Sequence, residues 1–164
     1  MEYKGIPIGW PLDSNVIRRN SNNNTFGMVR TNSDGSPRPH QGWDFYAKMG
    51  TLCYAISAGE VKHVESRGSL GLMVVVSIGN TGKFAAYCHL LASKVSVGDR
   101  VVLGQQVGIT GNSGNAVGMR GADEHLHFEI RNHVITGTGL EGRVSPLEVF
   151  GVCPMNDPIT RFPT

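Results

Sequence analysis

His125-Leu-His-Phe-Glu-Ile-Arg131 (HLHFEIR) alternates polar and apolar side chains over seven positions. A period of two marks a β-strand with one face turned to a core. It puts His125, His127 and Glu129 on one face, with Leu126 buried behind the two imidazoles. Two histidines about 7 Å apart on one strand face suit one metal ligand and one general acid or base beside the same metal. On its own the pattern also fits a half-exposed strand that happens to carry two histidines.

Outward from this strand the chain reads as short runs separated by turns. Leu72 to Ile78 (LMVVVSI) is a continuous apolar run, expected to be a central strand buried on both faces. Gly79-Asn80-Thr81-Gly82 is a hairpin turn, and Lys83 to Leu90 (KFAAYCHL) is its return strand. Thr51 to Ser57, Glu60 to Glu65 and Gln106 to Thr110 read as further strands, and Asn112 to Gly121 as a Gly-rich loop. Only Leu90 to Val95 and Pro146 to Phe150 invite helix. The 22 glycines favour strands and tight turns over long helices. The expected fold class is mainly β, an antiparallel sheet or sandwich with a substrate groove, long loops and few short helices. Before it, Met1 to Leu12 reads as an irregular arm or edge strand, Ser14 to Thr25 as an exposed Asn-rich loop, and Thr31 to Pro39 as a turn-rich loop delivering the chain to His40. The expected organisation is one domain: an arm over 1–39, a core over 40–150 and a tail over 151–164.

With 164 residues and 40% hydrophobic side chains, the chain suffices for a single core. A net charge of +2 with scattered basic residues gives no nucleic-acid face. No run approaches the roughly 18 apolar residues that span a membrane, so no membrane insertion is expected. Met1 to Pro11 lacks a basic region followed by a long apolar run, so no signal peptide is expected. Cys53, Cys88 and Cys153 have no CxxC spacing, so no sulfur zinc site is suggested, and buried free thiols are the default.

Two more motifs bring chemistry. His40-Gln-Gly-Trp-Asp44 sets an imidazole and a carboxylate four apart, both good zinc donors. Gly42 between them is expected to let the backbone bend so that both face one point. Tyr87-Cys-His89-Leu90 ends a strand with a third histidine. Each motif alone is weak. Together they hold four of the six histidines; His63 and His133 have no such neighbours and read as surface residues. The loop Gly108 to Gly118 (GITGNSGNAVG) is no phosphate-binding loop, since neither the Lys nor the helix pattern follows.

The ordered set HxxxD, YxHL and HLHFE resembles the lysostaphin-like (LytM-type) zinc metalloendopeptidases that act on peptidoglycan. Gly50-Thr51, Tyr54-Ala55, Gly59-Glu60-Val61, Val97 to Val101, Gly104-Gln105 and Gly108 to Gly114 match that family's framing, all in order between His40 and Arg131. The resemblance implies that His40, Asp44 and His127 bind Zn2+ and that His89 and His125 are catalytic. Zinc would sit at the floor of a groove walled by loops. Glu129 is either an orienting group for a ligand or a strand-face ion pair. The segment Met119 to Glu124 (MRGADE) departs from the family pattern and adds Arg120, Asp123 and Glu124 near the site. The implied activity is hydrolysis of stem-peptide or cross-bridge amides by a monomer acting in the periplasm or cell wall. With no signal peptide, delivery by a secretion system such as type VI, as an antibacterial effector toxin, is the favoured route, and an immunity protein follows only from that reading. A phage lysis enzyme and a catalytically inactive wall-binding or enzyme-activating domain are the alternatives; the latter is disfavoured because all five site residues are present.

Overall fold

The computed structural model describes residues 1–162; the last two positions of the expected tail lie outside them. The N-terminal region contributes β1 (Glu2–Tyr3) and β2 (Ile6–Pro7), which pair with each other, then β3 (Ser14–Asn15) and a hairpin of β4 (Gly27–Thr31) and β5 (Pro37–His40). The core follows as β6 (Trp43–Tyr46), β7 (Leu52–Tyr54), β8 (Gly59–Ser66), β9 (Leu72–Ser77), β10 (Phe84–Ser93), β11 (Arg100–Val101), β12 (Gln106–Thr110), β13 (His125–Arg131) and β14 (Arg143–Val144). A single turn of helix, α1 (Leu147–Phe150), and β15 (Ile159–Thr160), which returns to pair with β3, close the chain. Every pairing in the main sheet is antiparallel, so the mainly β expectation holds.

The sheet runs β11-β8-β9-β10-β12-β7, and β13 branches from β10 to pair also with β6 and β14. This branch creates the site. The first half of β10 pairs with β13, from Phe84↔Arg131 to Cys88↔His127, and its second half pairs with β12, starting at Leu90↔Thr110. His89 sits between the two halves with φ +59°, a left-handed conformation rare for a residue with a side chain. The expected helix at Leu90–Val95 is instead the continuation of β10 as far as Ser93, because pairing with β12 outweighs local helix preference.

Strand alternation separates core from chemistry. On one side of the β6–β13 pair, Trp43, Phe45, Leu126 and Phe128 are buried; Phe45 meets Trp10 and Trp43 edge-on, while Trp43 stacks on Phe150 and Phe128 tilts against it. Trp10 stacks on Phe150 at 4.2 Å, so the N-terminal arm is part of the core and no loose appendage. Each such ring contributes about 2–3 kcal/mol by burial. Ser14 to Thr25 is likewise not the exposed loop its composition suggests. Asn15, Ile17 and Asn24 are buried, Ile17 bridges to Phe45, and Asn15 caps the backbone of Leu12 and Ile159. Thr31 to Pro39 is the tip and return strand of a hairpin, which explains how it delivers His40.

Gly42 acts differently from the sequence expectation. Its φ is not in the left-handed region; a Cβ there would lie 2.2 Å from the Phe128 carbonyl oxygen. The glycine lets β6 approach β13, and that approach brings Asp44 opposite His127.

Candidate active site

His127 and Asp44 are register partners across β13 and β6, with Nδ1 and Oδ1 2.7 Å apart. His40, at the end of β5, brings its Nε2 to 3.1 Å from the same oxygen. His125 lies two residues before His127 on the same face, its Nε2 3.8 Å from Asp44 Oδ1. His89 completes the ring of imidazoles, with centroids 5.1 Å from His125 and 5.8 Å from His127. All five sequence-predicted residues are brought together and all are buried. His63 and His133 stay outside, His63 paired with Glu65 and His133 exposed.

Each imidazole has its outer nitrogen tied to a fixed acceptor. His40 Nδ1 meets the Thr25 carbonyl at 2.7 Å, His89 Nδ1 the Ser113 carbonyl at 2.8 Å, and His125 Nδ1 the Asp123 carbonyl at 2.8 Å. His127 Nε2 meets Glu129 Oε1 at 2.9 Å. Carbonyls and an ionised carboxylate only accept, so each outer nitrogen carries the proton. In the neutral ring the inner nitrogen then holds a lone pair aimed at the common centre.

Glu129 is fixed in turn. Its Oε2 accepts from Arg131 Nε at 2.6 Å and from Arg143 Nε at 2.8 Å, and Arg143 also donates to the Gly137 and Gly139 carbonyls. All three side chains are buried. Burial opposes ionisation, but His127 and the two guanidiniums outweigh it and hold the Glu129 carboxyl near about 2. Such a buried charge is tolerable only when paired on every side.

The electrostatics sort the ring nitrogens. Burial pushes His40 and His125 below their ordinary value. Burial, followed by the neighbouring His127 and His125, pushes His89 down to about 3. His127 goes the other way: burial opposes its charge, but hydrogen bonds and charge from Asp44 and Glu129 lift it to about 9. Asp44 is held well below the usual carboxylate range, because hydrogen bonds from His127 and His40 overcome burial. The buried positive charge therefore sits on His127, between the carboxylates of Asp44 and Glu129.

His40, Asp44 and His127 each offer one ligand atom, and these atoms lie within 4.8 Å of one another. Two nitrogens and one carboxylate oxygen with a fourth side open fit the donor set of a catalytic zinc site.

The second oxygen of Asp44 is held from the arm. Oδ2 accepts from Arg18 Nη2 at 3.2 Å and from Arg30 Nη2 at 2.9 Å, and both guanidiniums also reach Asn24 Oδ1. The MRGADE segment is tied to the same arm. Asp123 pairs with Arg19, and its carbonyl receives Arg18 Nη1. A cleft of about 440 Å³ opens over the imidazoles, with Arg30 and Arg38 in its wall. None of these arginines stood out in the sequence. They lie in polar segments without periodicity, and only their clustering before His40 would have hinted at them.

A branched antiparallel sheet with a histidine-lined cleft is the fold of the lysostaphin catalytic domain. The catalytic domain of the antimicrobial peptidase lysostaphin from Staphylococcus simulans superposes with a TM-score of 0.60 at 27% identity, over 75% of this chain and 86% of that one. The chain belongs to peptidase family M23, whose profile matches residues 38–140. A zinc containing peptidase from Vibrio cholerae is also similar, with a TM-score of 0.65 and 27% identity over 83% of this chain and 37% of that one. In sequence, the peptidoglycan DD-endopeptidase ShyA of Vibrio cholerae serotype O1 is 36% identical over 92 residues, 56% of this chain and 20% of that protein. The aligned part thus spans about a fifth of that relative's length. The SpoIIQ-SpoIIIAH pore forming complex contains a chain of the same fold, with a TM-score of 0.61 at 21% identity. The fold alone therefore does not specify an activity, which has to be argued from the site.

Proposed function

We propose that this chain is a zinc-dependent peptidoglycan endopeptidase in which His40, Asp44 and His127 bind Zn2+ and His89 and His125 are the catalytic bases. One observation carries the reading: four imidazoles and one carboxylate converge, with each outer ring nitrogen fixed and the inner nitrogens of His40 and His127 gathered on one oxygen of Asp44. The similarity to a peptidoglycan DD-endopeptidase supports the substrate class. Bound zinc would polarise the scissile carbonyl and acidify the attacking water.

The rest follows from the side chains. His89 and His125 are kept neutral by burial, so at neutral pH each presents an accepting Nε2 to the cleft. The imidazole that takes the water's proton becomes a donor and can pass it to the leaving nitrogen. Carbonyls of Ser113 and Asp123 keep the two rings from rotating during that exchange. His89, with its left-handed backbone, holds its ring centroid 5.1 Å from that of His125.

Digestion of purified sacculi, with and without a chelator and with products identified by mass spectrometry, tests the proposal. Chelator-sensitive release of cleaved peptides supports it. Intact sacculi after treatment with zinc-loaded protein count against it and favour the wall-binding alternative. The antibacterial-effector reading, with an immunity protein covering the cleft, is a further hypothesis built on this activity. Expression in the periplasm of a Gram-negative host should then lyse cells while cytoplasmic expression does not; equal survival would remove it.

A further inference from the structure

The cleft holds more positive charge than its metal ligands require. Asp44 is the single carboxylate in its wall among the described residues, yet Arg18, Arg30 and Arg38 all line it. Arg18 spends both Nη atoms on Asp44, Asn24 and the Asp123 carbonyl. Arg30 uses Nε and Nη2 on Asn23, Asn24 and Asp44. Arg38 is exposed and makes no ion pair among the described residues.

Arg30 and Arg38 are register partners across β4 and β5. Directly opposed side chains share one sheet face about 5 Å apart, where like charges destabilise the pair. Arg38 also stands two residues before His40, so both side chains leave the strand on the same face, toward the centre. A repelling pair beside a metal ligand is relieved when an anion sits between its members. Guanidinium forks match carboxylates in planar, bidentate geometry.

We propose that Arg30 and Arg38 form a carboxylate subsite beside the metal centre, so that the preferred substrate is a peptide with a free carboxylate close to the scissile amide. This rests on the peptidase reading above. Kinetics on two synthetic cross-linked stem peptides test it, the pair differing only in whether the carboxylates flanking the scissile bond are free or amidated. With zinc-loaded protein, amidation should raise KM about tenfold with little change in kcat, as for loss of a charge-assisted contact. In Arg38→Ala the ratio of the two KM values should collapse toward one. In Arg100→Ala, which removes the same charge from an exposed edge strand outside this cleft, the ratio should persist. Equal KM values in the wild type, or an undiminished ratio in Arg38→Ala, would overturn the subsite. If neither peptide is cleaved, the peptidase reading fails, and calorimetric binding of the free-carboxylate peptide decides the subsite. Tighter binding by wild type than by Arg38→Ala supports it, and equal affinity overturns it.

Discussion

Glu129 Oε1 accepts the Nε2 proton of His127 at 2.9 Å from two residues further along the same strand. The carboxylate thereby fixes the ring so that Nδ1 faces Asp44, where the proposed metal would bind. Glu129→Gln should keep the shape but weaken zinc affinity by roughly 10–100-fold, the usual effect of losing such a partner. Competition against a chromophoric chelator measures it. Unaltered affinity would mean that Arg131, Arg143 and Glu129 only support the fold.

Zinc content separates ligands from neighbours. His127→Ala and Asp44→Ala each delete a proposed donor, so both should purify with far less than one zinc per chain. Elemental analysis is sufficient, and a stoichiometric ion in either variant would refute the ligand set.

His89→Ala and His125→Ala should retain zinc and lose turnover by on the order of 100-fold or more, as expected for a general acid or base. Rates within about threefold of wild type on sacculi would remove the residue from the mechanism.

Gly42→Ala tests how the strands are brought together. The added methyl would meet the Phe128 carbonyl at 2.2 Å and push β6 from β13. A loss of about 2–4 kcal/mol in chemical denaturation is expected, as for other severe backbone clashes, with zinc affinity falling too. A variant as stable as wild type would show that the sheet accommodates the methyl freely.

Alkaline stability should report on the N-terminal strand. Tyr3 donates to Glu148 Oε1 at 2.6 Å, and burial, reinforced by Glu148, pushes the phenol up to about 12. A raised phenol favours the neutral form in the folded state, so its contribution is complete below pH 10 and is lost as pH rises from 10 toward 12. Thermal midpoints across that range should fall less steeply in Tyr3→Phe, and identical profiles would contradict the assignment.

The five residues at the centre were legible because their chemistry is local in sequence. HxxxD, YxHL and HLH each fit within five residues, and strand alternation tells which side chains share a face. What surrounds them was not legible. Arg131 and Arg143 reach Glu129 from two paired strands. Thr25 and Ser113 act through backbone carbonyls, which no residue type announces. Asn-rich and polar, Ser14 to Thr25 resembles solvent-exposed loop in composition, yet Ile17 and Asn24 are anchored by long-range pairing and by Arg18 and Arg30. The same blindness produced the helix expected at Leu90–Val95, where a non-local strand partner decides the outcome.

The segment shared with family M23 begins at residue 38, yet His40 leans on Thr25 and Asp44 on Arg18 and Arg30. A graft of the shared segment into another scaffold would carry the proposed ligands but leave behind the groups that set their orientation and charge. The segment that the family profile matches is thus smaller than the set of residues that shape this centre, and an engineer swapping modules would need to cut ahead of Arg18 to move it intact.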